Sequence, residues 1–131
     1  LTMDGCLSSE LYDKAHQDLC LDRCGLDEIR KKAFYRVTPD YSISMLHEWR
    51  KDCTNIRYLA EATPDTADYI NGLLRMHAVD EIILYTVPFI SGSGRHFFKS
   101  ALPEQHWTLS SLKSYPNGVC RIIYILDKKA R

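Results

Sequence analysis

The chain has 131 residues, 45% of them hydrophobic and 26% charged, a composition typical of one ordinary globular domain. Its 17 basic and 17 acidic residues balance and are mixed along the sequence, which argues against a dedicated binder of nucleic acid or of an anionic membrane. The longest apolar run, 82–90, is about half the length of a membrane span. We therefore predict a single domain over 1–131, either whole or cut from a longer protein, with neither a membrane nor nucleic acid as its partner.

The first predicted element is a helix over about 8–23. Leu11, Ala15 and Leu19 recur at helical spacing, Ser8 or Ser9 can cap the start, and Gly25 can end it.

Three similar tripeptides then predict three helix starts: Thr38-Pro39-Asp40, Thr63-Pro64-Asp65 and Leu102-Pro103-Glu104. Threonine is a good N-cap, proline suits the first helical position, and an acid favours the positive end of the helix dipole. Apolar residues at helical spacing follow the first two tripeptides. The third helix is predicted over 107–115, ending at the turn signal Pro116-Asn117-Gly118.

Five stretches between these helices are extended in character. Three of them run into the proline tripeptides: EIRKKAFYRV (28–37), NIRYLAEA (55–62) and RHFFKSA (95–101). The other two, DEIILYTVPFI (80–90) and VCRIIYILD (119–127), are almost continuously apolar. That pattern is typical of a strand covered on both faces inside a parallel sheet.

These elements predict an α/β domain in which about four helices alternate with a four- to five-stranded, mainly parallel sheet containing one hairpin. Two architectures fit this order, a layered fold and a short arc of leucine-rich-repeat type. The stretch DCTNIRYLAEATPDTADYINGLLRMHAVDEIILYTV (52–87) resembles the cysteine-containing leucine-rich repeats of F-box and related receptors. An α-helical alternative arises because YSISMLHEWRKDCTNIRYL (41–59) resembles the Leu-x-x-Trp helix of death-fold adaptors.

The glycine-rich stretch ISGSGRHFF (90–98) allows two interpretations. At the end of a buried strand such a loop can hold a phosphate, and Arg95 and His96 would add positive charge. The loop leads into a strand pattern rather than a helix, so a four-residue hairpin connection over 91–94 is favoured.

Five cysteines and the lack of a secretory signal predict free thiols in a reducing compartment, cytoplasmic or nuclear. A zinc set can be drawn from Cys20, Cys24, His47 and Cys53, since the first two are four residues apart on one predicted helix. The usual Cys-x-x-Cys knuckle is absent, so buried structural thiols are favoured. We predict no bound metal and no cofactor.

The remaining candidates depend on a parallel sheet, which would gather the ends of successive strands at one edge. The residues predicted to bind a ligand there are Thr38, Thr63, Ser91, Ser93, Arg95 and His96. With no recognisable triad or phosphate loop, we predict a non-catalytic protein–protein interaction module of an intracellular receptor or adaptor, with another protein as partner. The alternative is a small α/β enzyme, or an anion- or nucleotide-binding domain, with its site at the carboxyl edge of the strands.

Overall fold

The computed structural model describes residues 1–3, 5–7, 25–33, 35–52, 57–88, 90, 92, 96–98 and 102–127. Three helices lie within them: α1 (Leu26–Lys32), α2 (Ile43–Asp52) and α3 (Ala67–Arg75). The same ranges contain five strands: β1 (Tyr35–Arg36), β2 (Tyr58–Leu59), β3 (Glu81–Thr86), β4 (Trp107–Ser114) and β5 (Cys120–Leu126). The mixed α/β class is confirmed and the α-helical alternative is wrong. The helix predicted over 8–23 lies outside the described residues.

The prediction of one mainly parallel sheet is wrong. Only β1 and β2 are parallel, a pair of two-residue strands in which Tyr35 lies opposite Tyr58. The larger sheet is antiparallel and three-stranded, in the order β3-β5-β4. The apolar run of β5 is explained by its central position, because a central strand of an antiparallel sheet can also be covered on both faces.

The helix predicted over 107–115 is also wrong, since this segment is β4. Leu109 and Leu112 are three residues apart, as on a helix, but a bulge between Leu109 and Ser111 adds one residue to the strand and lets both leucines share one face of the sheet. In a bulged strand, apolar residues three positions apart can therefore share a face, as they do on a helix. The turn signal at 116–118 closes the β4–β5 hairpin, where Gly118 has a φ of 88° and its amide donates to the Tyr115 carbonyl at 3.0 Å.

The two Thr-Pro-Asp tripeptides form β-turns that precede the helices rather than begin them. The Thr38 carbonyl accepts from the Tyr41 amide at 3.0 Å, and the Thr63 carbonyl accepts from the Thr66 amide at 3.1 Å. Proline at the second position of such a turn has the required φ, so the same residues serve a turn as well as a helix start. Helices α2 and α3 begin only at Ile43 and Ala67.

Helix α1 occupies half of the stretch 28–37 that was predicted to be extended. Its start is acidic and its last turn is basic, as the helix dipole favours. Leu26 and Ile29, one turn apart, pack against the buried cluster of Tyr85, Val87 and Val119. Burial of these two side chains selects the helix over the strand, because it covers one face of the antiparallel sheet.

Helix α3 is anchored by buried polar contacts. Asn71 is fully buried, and its Nδ2 donates to the carbonyls of Ala67 and Phe97, each at 2.8 Å. The Tyr69 hydroxyl donates to the Tyr41 carbonyl at 2.7 Å, and burial raises the pKa of this hydroxyl above its usual value. These bonds tie α3 to the turn before α2 and to the segment around Phe97.

The first residues of the chain join the end of β3 to that same segment. The Val87 amide donates to the Leu1 carbonyl at 2.8 Å, and the Phe97 amide donates to the Gly5 carbonyl at 3.0 Å. Cys6 is buried and forms an isolated antiparallel bridge with His96. Within the described residues, no helix is long and apolar enough to cross a membrane.

Replacing His77 by glycine should stabilise the fold. His77 follows α3 with a φ of 54°, and its amide and that of Ala78 close the helix on Leu74 and Leu73 at 3.2 and 2.9 Å. This is a Schellman cap, in which glycine avoids the left-handed penalty of a side chain. The substitution also removes an exposed hydrogen bond between His77 Nδ1 and Gln105 Nε2, at 2.9 Å. We therefore expect His77→Gly to raise the free energy of unfolding in urea by at most about 1 kcal/mol.

Met76→Gly is the matched control for this substitution. Met76 precedes His77 with a φ of −90°, where glycine brings no conformational relief. We expect it to lower the free energy of unfolding, and a loss of stability in both variants would contradict the assigned cap.

Candidate functional site

Polar side chains from four segments meet at the carboxyl end of β3. Tyr85 lies near the end of that strand, directly opposite Arg121 of β5, which in turn lies opposite Lys113 of β4. Tyr115 comes one residue after β4, and Gly25 immediately precedes α1. We call these five residues the Arg121 cluster.

Three polar groups of the cluster converge on one point. A Cβ atom built on Gly25 would stand 3.1 Å from Arg121 Nη1, 3.6 Å from the Tyr115 hydroxyl and 3.9 Å from the Tyr85 hydroxyl. Gly25 has a φ of 84°, so it is the residue best suited to the backbone here. The lack of a side chain at position 25 therefore lets a guanidinium and two phenols come close to the backbone of Gly25.

The cluster carries an excess of positive charge. Lys113 and Arg121 are directly opposite each other, and like charges in such a pair destabilise a sheet. Neither forms an ion pair with a carboxylate of the described residues. Lys113 Nζ lies 5.2 Å from the centre of the Tyr115 ring, a cation–π contact that offsets part of the repulsion.

Arg121 also has a buried donor without an acceptor. Its Nε atom is shielded from solvent and makes no hydrogen bond within the described residues. Leaving a buried donor unsatisfied costs about 1–3 kcal/mol, and more for a charged group. Together with the two phenols, this donor makes the cluster chemically suited to an oxyanion such as a phosphate or a carboxylate.

A second charged group lies at the carboxyl ends of β1 and β2. The Glu61 carboxylate accepts from Arg30 Nε at 2.5 Å and from Arg36 Nη2 at 2.6 Å. Two guanidinium groups share one carboxylate, which leaves one net positive charge. Arg30 follows Gly25 by five residues in α1, about 7.5 Å along a helix axis. One short helix therefore connects this group, the Glu61 clamp, to the Arg121 cluster.

Of the residues predicted to bind a ligand, Thr38 and Thr63 follow neighbouring parallel strands in exposed turns. Their hydroxyls accept from turn amides, Thr38 from Asp40 at 3.3 Å and Thr63 from Thr66 at 3.2 Å, so both have a structural role. His96 is exposed, with Nδ1 4.0 Å from Cys6 Sγ. Ser91, Ser93 and Arg95 lie outside the described residues, as does most of the predicted hairpin at 91–94.

The zinc candidates are not tested by the structure. Cys20, Cys24 and Cys53 lie outside the described residues, and His47 belongs to α2. In the part of the chain that is described, no group of three histidine, cysteine, aspartate or glutamate residues could hold a metal ion.

Sequence reasoning missed the Arg121 cluster. Gly25 was interpreted as the stop of the preceding helix, and Lys113 as part of a helix that does not exist. One signal was present, since Arg121 is the only charged residue within the apolar run VCRIIYIL. An arginine inside a strand predicted to be covered on both faces indicates a specific partner.

Comparisons with known proteins identify a similar structure but no matching sequence family. No family model and no curated protein sequence matches the chain. A protein from Shewanella sp. PV-4 assigned to riboflavin biosynthesis has a similar structure, with a TM-score of 0.62 and 10% identity, covering 98% of this chain and 96% of that one. This shows that the two share an α/β fold over almost their whole lengths.

Two further structures are similar over part of the chain. RibD of Acinetobacter baumannii has a TM-score of 0.40 and 20% identity over 70% of this chain and 26% of its own. A pyrimidine reductase-like protein of Corynebacterium diphtheriae has a TM-score of 0.37 and 15% identity over 71% of this chain and 48% of its own.

The prediction of a non-catalytic interaction module of an intracellular receptor or adaptor is wrong. The finding against it is the α/β fold that the chain shares with the Shewanella protein over almost the whole length of both. Nothing in the comparisons supports a partner protein either. The resemblance to leucine-rich repeats is tested by none of these findings and stays a prediction.

Gly25→Ala should reveal how closely the Arg121 cluster is packed, with Gly92→Ala as the matched control. Both glycines have positive φ values, 84° and 73°, so alanine is strained equally at the backbone. The new Cβ at Gly25 would press on Arg121, whereas no atom of the described residues lies within 4 Å of a Cβ at Gly92. We expect Gly25→Ala to lower the free energy of unfolding in urea by about 1 kcal/mol more than Gly92→Ala. Equal losses would contradict the described packing.

Proposed function

We propose that this chain is a small α/β enzyme or ligand-binding domain that takes a phosphate-bearing small molecule at the Arg121 cluster. The observation that carries the proposal is the convergence of Arg121 Nη1 and two tyrosine hydroxyls on the space beside Gly25. The cluster lies at one edge of the antiparallel sheet, beside the carboxyl ends of β3 and β4 and the amino end of β5.

A phosphate could accept a hydrogen bond from Arg121 Nε, the buried donor that has no acceptor within the described residues. Its oxygens accept hydrogen bonds from the guanidinium and from the phenols, which donate in this arrangement. A dianionic phosphate also neutralises Lys113 and Arg121 together, and so turns a repulsive cross-strand pair into two attractive contacts.

We expect the rest of such a molecule to contact the Glu61 clamp. In the clamp the Glu61 carboxylate accepts from Arg30 Nε and from Arg36 Nη2, beside the turns after β1 and β2. Hydroxyl groups of a sugar can donate to Glu61 and accept from the arginines.

The fold shared with a protein assigned to riboflavin biosynthesis supports a small-molecule ligand and suggests flavin as a probe. Riboflavin and riboflavin 5′-phosphate differ only in the phosphate, and adenosine and AMP form a second pair of this kind. We expect the phosphorylated member of at least one pair to bind more tightly in calorimetric titrations. Inorganic phosphate should compete with it.

Arg121→Met should weaken the binding of the phosphorylated probe about tenfold to a hundredfold, because charge-assisted hydrogen bonds are lost. The same change should leave the free energy of unfolding equal or higher, since it removes an unsatisfied buried donor and a like-charge pair. A variant that binds the probe more weakly but is no less stable has lost the site and not the fold.

Arg57→Gln is the matched control, because Arg57 is an exposed arginine whose described ion pair is with Glu81, at 3.7 Å. It should bind the probe as the parent protein does. Equal affinity for phosphorylated and unphosphorylated probes, or unchanged binding in Arg121→Met, would contradict the proposed function.

A further inference from the structure

The outer edge of β4 carries exposed leucines. In the strand order β3-β5-β4, no described strand pairs with the far side of β4, which has eight residues and no proline. Leu109 and Leu112 are 52% and 63% exposed. A long apolar edge strand is a template for pairing with another chain.

The bulge aligns both leucines with the apolar face of the sheet. Leu109 lies opposite Tyr124 and Leu112 opposite Ile122, and these two residues of β5 point to one face because they are two apart. The same face continues on β3, where Ile82 lies opposite Tyr124. The leucines therefore extend an apolar surface to the open edge of the sheet.

We propose that a second copy of this chain pairs with β4 in antiparallel fashion, about a twofold axis between Ser110 and Ser111. In this register Leu109 lies opposite Leu112 of the second copy, and Thr108 lies opposite its Lys113. The two sheets then form one continuous six-stranded sheet. The inference does not depend on the proposed ligand.

The register follows from the pattern of faces along β4. Residues directly opposite in an antiparallel pair must share a face. By their partners on β5, Trp107, Leu109, Leu112 and Ser114 share one face, and Thr108 and Lys113 share the other. Reversing the strand about the centre of 110–111 places each residue opposite one of its own face. The strand is therefore complementary to itself, which favours a second copy over an unrelated partner.

The charges of β4 are compatible with this pairing. Lys113 is the only charged residue in the strand. In the proposed register the two copies of Lys113 are separated by about five residues, or roughly 17 Å, along the strands. The chain has a formal net charge of zero, so two copies do not repel each other as a whole.

The same edge also contains two features that discourage pairing in natural sheets, a bulge and a lysine. Both are accommodated here, because the bulge lies at the symmetry axis and Lys113 faces a threonine. An interface built mainly from one strand pair is smaller than a standard interface of about 800 Å² per partner. We therefore expect a weak dimer whose population rises with protein concentration.

Sedimentation velocity over a concentration series tests the pairing. Leu112→Lys removes two symmetric apolar contacts and should raise the dissociation constant of the dimer about a hundredfold or more. Ile90→Lys is the matched control, because Ile90 is also 63% exposed but lies outside β4. It should leave the dimer unchanged.

Two variants of Thr108 test the register. Thr108→Glu faces Lys113 of the second copy and should tighten the dimer, whereas Thr108→Lys should weaken it by placing like charges opposite each other. Circular dichroism and urea unfolding confirm that each variant is folded. A chain that stays monomeric throughout the series overturns the proposal. So does a dimer insensitive to Leu112→Lys, or one that Thr108→Glu and Thr108→Lys change in the same direction.

Discussion

The pairing of β5 with a strand on each side is the interaction on which the rest of the structure depends. It sets β3, β5 and β4 in one register, and so places Arg121 between Tyr85 and Lys113. A shift of one residue would move every side chain of β5 to the opposite face. Arg121 would then leave the polar cluster, and Ile122 would enter it. The sheet therefore determines the chemistry of the candidate site as well as the packing of the core.

Helix α1 also contributes both to the packing of the core and to the candidate site. Leu26 and Ile29 cover the sheet, Gly25 leaves the space in front of Arg121, and Arg30 reaches Glu61. Seven residues thus connect an apolar core with two charged groups. Such an arrangement explains how the fold can tolerate an unsatisfied buried donor in the Arg121 cluster. The apolar contacts of the helix supply stability that the polar groups themselves do not provide.

The chain shares an α/β fold with the Shewanella protein, and its Arg121 cluster brings a guanidinium and two phenols close together. The proposed function rests on the Arg121 cluster and not on a repeat surface or on exposed aromatic residues. The alternative weighed at the level of sequence, an anion- or nucleotide-binding domain with its site at the ends of the strands, agrees better with both observations. Thr38 and Thr63, two of the residues predicted to bind a ligand, accept hydrogen bonds from turn amides.

The sequence by itself determined the elements whose signals are local. Helices α2 and α3 were predicted from the helical spacing of their apolar residues, and strands β3 and β5 from almost continuous apolar runs, both of which lie within one segment. The structure alone decided how those segments pair. The bulge in β4 gave Leu109 and Leu112 the spacing of a helix, and only their partners on β5 identify a strand. Likewise, the polar groups of Gly25, Tyr85, Tyr115 and Arg121 are up to 96 residues apart in sequence. They meet because long-range backbone hydrogen bonds fix one register, and no local pattern in the sequence encodes that choice.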